Sequence, residues 1–228
     1  MPPTGEIDGK YYEVVDASSL AQRLALRARL RMHEDFLALV RPAADETILD
    51  FGVSDVMRDE ANMLERTYAH PEAITAVGLG TARAFQETFP RVRYQQIAPH
   101  AALPFADKSF AITVSNAVLE HVGSMANQHQ VVRELLRVGR RSFLTVPHRF
   151  FPVEHHTGIP LLHWSDLTFP PVCRWLGKAG WGSPENLILM SRGRLLAACP
   201  EGRAVRIGNT GLRLGPFSSN LFLFAPPE

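Results

Sequence analysis

Short apolar runs alternate with amphipathic stretches through most of this 228-residue chain. A first helix, capped by Ser18 or Ser19, runs to Val40 with Leu20, Leu24, Leu30, Phe36 and Leu37 as its apolar side. Arg41-Pro42 ends it, because the residue before a proline is pushed out of the helical region. Residues 47–53 form an apolar run ending in glycine and valine, the pattern of a strand buried on both faces. The alternation then predicts a helix over 55–68, a strand over 73–77, a helix over 81–89 and a strand over 92–97. A strand over 110–115, a helix over 128–138 and a strand over 142–146 follow.

Strands and helices alternating at this pitch imply βαβ crossovers and an α/β fold whose sheet is covered on both faces. The pattern breaks over 147–182, which is rich in Pro, His and Trp. A short helix over 191–199 and two strands over 203–207 and 220–224, joined by a glycine-rich loop, close the chain as an edge hairpin. The expected organisation is a helical lead (1–42), a Rossmann-like core (43–146), a substrate-side insertion (147–190) and a closing helix and hairpin of the same domain (191–228).

Composition narrows the function more than the fold. A 46% hydrophobic, 21% charged chain with net charge +1 has no global field to attract nucleic acid or an anionic membrane. Arg23, Arg27, Arg29 and Arg31 recur within a helical pattern and read as a solvated or substrate-facing face. Two cysteines without paired spacing, no apolar core within the first 16 residues and no run near the roughly 20 residues of a membrane span lead to the expectation of a reduced, cytoplasmic protein.

Three segments carry chemistry. The turn after the first predicted strand reads Asp50-Phe51-Gly52-Val53-Ser54-Asp55, with Asp55 placed to cap the helix it opens. The fourth strand ends in Asn116-Ala117-Val118-Leu119-Glu120-His121. The third runs from Pro147 to Trp164 and holds His148, Glu154, His155, His156 and His163, with Leu161, Leu162 and Trp164 read as core contacts that dock the segment. Together they resemble the class I S-adenosylmethionine (SAM) dependent methyltransferases, the type 11-like group whose fourth strand ends in Leu-Glu-His. The third segment is similar to one found after strand five in members that act in glycan or lipid pathways.

That resemblance implies a Rossmann-like, mostly parallel seven-stranded sheet with an antiparallel final strand and helices on both faces. It places SAM at Asp50, Gly52, Ser54 and Asn116, with Leu79 and His100 flanking ribose and adenine, and with Tyr11 or Tyr12 closing over the site. The family's glycine-rich turn keeps one of its three glycines here, Gly52. Gly78 stands where the ribose-gripping acid belongs and Pro99 where the adenine-contacting acid belongs. Losing both is worth about 3–5 kcal/mol, enough to turn a micromolar site into a roughly millimolar one.

Three functions follow. The first is methyl transfer to a polar sugar or lipid-linked acceptor, with His121, Glu154, His155 and His156 as catalytic candidates. The second is a catalytically silent scaffold, a pseudoenzyme that pairs with an active paralogue or with itself. The third is another enzyme class using histidine or metal chemistry in the acceptor pocket. His148, His155, His156, His163 and Glu154 are dense enough to consider zinc or iron, yet no spacing matches a ligand motif, so no metal residue is assigned.

Overall fold

The computed structural model describes residues 19–55, 57 and 61–228. The predicted cap Ser18, the aromatic lid Tyr11 or Tyr12 and the side chain of Leu20 lie outside the described residues. The elements are α1 (Ser19–Val40), β1 (Ile48–Phe51), α2 (Met63–Thr67), β2 (Ile74–Gly78), α3 (Arg83–Thr88), β3 (Arg93–Gln96) and β4 (Phe110–Asn116). They continue with α4 (Met125–Val138), β5 (Gly139–Pro147), α5 (Phe169–Trp175), α6 (Arg192–Ala197), β6 (Arg206–Leu214) and β7 (Phe217–Ala225).

The seven strands form one sheet in the order β3-β2-β1-β4-β5-β7-β6. The first five run parallel, and β7 is antiparallel to both its neighbours. Because side chains alternate along a strand, the two faces carry separate sets. Leu49, Val77, Leu144, Val146 and Leu223 pack under α4 and α6. Ile48, Ile74, Ile112 and Phe143 pack under α1 to α3. Burial on both faces is what permits a parallel sheet. Phe143 illustrates the packing: its ring lies 5.6 Å from Phe36 of α1 and 5.8 Å from Phe222 of β7.

Four local expectations need correction. On α1 the buried stripe is Ala28, Met32, Phe36 and Val40, spaced by four, whereas Leu24, Leu30 and Leu37 are exposed. Asp55 does not open a helix: it lies in a bend, and among the described residues the helix between it and Tyr68 is α2. Its carboxylate instead accepts the Phe85 amide of α3 at 2.9 Å, capping from 30 residues away a helix whose own N-cap, Ala82, has no capping side chain. Asp55→Ala is therefore expected to cost about 1 kcal/mol and to lower the melting temperature by roughly 2–4 °C. Unchanged thermal unfolding would show that the carboxylate does not cap.

The closing hairpin is longer than predicted, because Gly208 and Gly211 belong to a strand, with Gly215 in the turn. A side chain at Gly208 would collide with the Phe222 ring at 2.2 Å, and Gly211, at φ +75°, takes the bulge between Thr210 and Arg213. In the insertion, Leu161 and Leu162 are exposed and do not dock it. That work falls to Ile159, Phe169, Cys173, Leu187 and Leu189, a small core of its own. Arg149 latches the segment by donating to the Trp164 carbonyl and to Asp166, each at 3.0 Å. Among the described residues no helix is long and apolar enough to cross a membrane.

Candidate active site

From β1 the chain leaves toward β2 and β3 on one side and returns to β4 and β5 on the other, so the turns after β1 and β4 diverge and open a crevice. Two cavities meet there at Arg29, Gly52, Val53 and Ala117. The larger, about 200 Å³ against about 100 Å³, runs over the ends of β2 and β3. Gly78, Leu79, Pro99, His100, Val118 and Val122 line it, with His121 and His156 at one end. Asp50, Ser54 and Asn116 line the smaller one, beneath α1. Gly52 sits at the junction with φ +94°, and a Cβ there would come to 2.4 Å from Val118 Cγ2. Gly52 and Asn116 thus border one crevice, with the insertion's His156 reaching it.

The predicted cofactor residues already have protein partners. Ser54 and Asn62 exchange two hydrogen bonds, the Ser54 amide donating at 3.0 Å and the Asn62 amide returning to the Ser54 carbonyl at 2.8 Å. Asn116 Oδ1 accepts from Arg29 at 2.5 Å and from Thr145 Oγ1 at 2.6 Å. Asp50 is buried beside Glu65 of α2, and burial lifts its carboxyl to about 6. Glu65 is pushed further above its ordinary range, first by burial and then by the Asp50 charge, so this pair retains a proton. Nothing in the spacing announced Glu65.

Gly78 ends β2 in close quarters. A Cβ there would lie 3.0 Å from Tyr94 Oη and 3.1 Å from the Val53 carbonyl oxygen, and Tyr94 Oη donates to Gly80 O. A side chain at this strand end would therefore need β3 or the first turn to give by a few tenths of an ångström.

At the other end of the larger cavity the histidines form a chain. His121 Nδ1 donates to the Asn186 carbonyl at 2.8 Å, which points Nε2 at His156 Nε2, 3.1 Å away. His156 Nδ1 donates to Glu154 Oε1 at 2.8 Å. Glu154 Oε2 accepts from the amides of His156 and Thr157 and from Thr157 Oγ1 at 2.6–2.9 Å. These donors hold the Glu154 carboxyl well below its usual range despite its burial. The same carboxylate raises His156, against a burial penalty, while burial and then the His156 charge push His121 down to about 3. Trp181 stacks on His156 at 5.0 Å between ring centroids. Burial lifts Glu120, 1% exposed, to about 7.

Sequence pattern thus found Glu154, His156 and His121, but it could not show that they are in register. It named Arg29 only as one of four arginines on a solvated or substrate-facing helix face, and it overlooked Trp181 and the Asn186 carbonyl, which no motif marks. His155 points outward, edge-on to Phe151. His163 is buried and donates to the Phe151 carbonyl at 2.8 Å, a structural bond, and His148 lies half-buried by Ser218.

The strand order, the reversed β7 and a crevice at the carboxyl ends of β1 and β4 identify the architecture. This is a class I methyltransferase fold. Residues 61–142 match the family described as a methyltransferase domain. No curated protein matches the chain. Among solved structures, a SAM-dependent methyltransferase from Methanosarcina mazei superposes with TM-score 0.55 at 15% identity, over 84% of this chain and 98% of that one. One from Thermotoga maritima gives 0.57 at 12% identity over 92% of each chain. One from Aquifex aeolicus gives 0.52 at 15% identity, over 91% and 96% respectively.

Proposed function

We propose that the protein transfers a methyl group from SAM to a polar acceptor, such as a sugar or lipid-linked hydroxyl. The observation that carries this reading is the larger cavity, whose walls come from the turns after β1, β2, β3 and β4, where open α/β sheets bind their ligands. Its chemistry suits part of SAM. Gly52 allows close backbone approach, and Leu79, Ile97, Val118 and Val122 offer apolar surface to an adenine, with His100 at the rim. SAM, when bound, supplies an activated methyl group on its sulfonium. The acceptor oxygen is read as lying against His121 and His156, with Glu154 acting through His156 as a positioning residue.

With no acid at position 78 or 99, the affinity for SAM is expected near the millimolar end of the range, about 3–5 kcal/mol weaker than a site holding both acids. Calorimetry and thermal shift with SAM and S-adenosylhomocysteine, each carried to millimolar concentration, test this. Heat and a raised melting temperature with either ligand are expected. Neither response would end the methyltransferase reading.

The obstruction of Gly78 by Tyr94 Oη and the Val53 carbonyl favours a second reading, a catalytically silent scaffold that works with an active paralogue or a second copy. That reading predicts silence in the same titration and co-purification with the partner.

A further inference from the structure

Glu120, His121 and His156 each offer one ligand-type atom, and these atoms lie within 4.8 Å of one another. The bonding of the two imidazoles makes the arrangement unusual. Both Nδ1 atoms are committed as donors, to the Asn186 carbonyl and to Glu154, so both Nε2 atoms turn inward, 3.1 Å apart. Two lone pairs facing each other at that distance repel unless a cation lies between them, either a proton or a metal ion. Beside them Glu120 Oε1 stands 4.0 Å from His121 Nε2. Glu120 is 1% exposed, and among the described residues neither of its carboxylate oxygens has a hydrogen-bond partner. A buried, unpartnered carboxylate is costly and calls for a partner.

The geometry points to a divalent transition-metal site formed by His121 Nε2, His156 Nε2 and Glu120. Nitrogens 3.1 Å apart can both reach one ion at about 2.1 Å with an angle near 95°, within the range of tetrahedral and octahedral centres. A small rotation of Glu120 completes a triad of two histidines and one carboxylate, which leaves positions open for exogenous ligands. The surrounding contacts are those that orient metal-bound imidazoles: a backbone carbonyl on one Nδ1 and a carboxylate on the other, with that carboxylate itself held by three further bonds. Because His121 and His156 line the larger cavity, the open positions face the acceptor side. An ion there binds an acceptor that offers oxygen donors and makes its hydroxyl easier to deprotonate. The inference goes beyond methyl transfer and stands without it, since metal binding does not require SAM.

The test uses full-length protein without a histidine tag, stripped by chelator and titrated separately with Zn²⁺, Mn²⁺ and Co²⁺ by calorimetry, with the Co²⁺ absorption spectrum recorded. One equivalent of at least one of these ions is expected to bind, and Co²⁺ to report nitrogen and oxygen ligation. Glu120→Gln and Glu154→Gln, which both keep the side-chain shape while the second alters the support of His156, should each weaken binding at least tenfold, with circular dichroism confirming that each variant is folded. His148→Asn should leave it unchanged. A wild-type titration with no stoichiometric binding overturns the proposal, as does binding that Glu120→Gln and Glu154→Gln leave intact. Metal bound without any response to SAM would retain this site and reject the methyltransferase reading, so the two failures are separable.

Discussion

Gly52→Ala is expected to cost about 2–4 kcal/mol of stability and to weaken S-adenosylhomocysteine at least tenfold. Two effects add. At φ +94° a non-glycine residue is strained by roughly 1–3 kcal/mol. The new methyl group also lands 2.4 Å from Val118 Cγ2, in the wall between the two cavities. Val118 must move, and the direction left to it is the cavity a ligand would use. The melting temperature should fall by about 5–15 °C. Val118→Ala in the Gly52→Ala background removes the collision and leaves the backbone strain, so it should restore part of the stability and most of the binding. If Gly52→Ala melts like the wild type and binds the ligand unchanged, the junction at Gly52 is not where the cofactor sits.

The strands were legible because short, largely apolar runs alternate with amphipathic stretches, and the mostly parallel seven-stranded sheet with its reversed final strand came with the family resemblance. What was illegible depended on distance in sequence. Asp55 reads as the cap of whatever follows it, and only the fold reveals that its nearest bare helix end is Phe85. Gly208 and Gly211 read as loop because glycine alone does not distinguish a turn from a strand under a phenylalanine ring. Leu161 and Leu162 read as core because apolar type says nothing about which side of a loop faces inward. At the site, His121 and His156 are 35 residues apart, and the pairing of their Nε2 atoms follows from two carbonyl or carboxylate partners that carry no pattern. Candidate chemistry could therefore be named by residue, whereas its geometry had to be seen.

Glu65→Gln should stabilise the protein above neutrality and have little effect near pH 4.5. Burial lifts Asp50 from 3.8 to about 6 and raises Glu65 as well, with the neighbouring charge adding to the effect. A carboxyl whose pKa rises on folding contributes stability that is fully present below its unfolded value, and this is lost as pH climbs through the folded value. The wild-type pair therefore becomes a growing burden from about pH 4 upward, on the order of 2–3 kcal/mol once the pH passes the folded values. Glutamine at position 65 carries no proton to lose, so Glu65's share of the burden disappears with the shape preserved, while the share from Asp50's own burial stays in both proteins and cancels in the comparison. The quantity to measure is the difference in unfolding free energy between variant and wild type, which cancels the other titrating groups. It should be near zero at pH 4.5 and grow in favour of the variant to pH 8. A difference of constant size, or one that shrinks with pH, would show that Asp50 and Glu65 do not share a proton under the crevice. Since Asp50 lines the smaller cavity next to Gly52, such a result would also raise the negative charge beneath that cavity from one carboxylate to two, which bears on which part of a ligand it can hold.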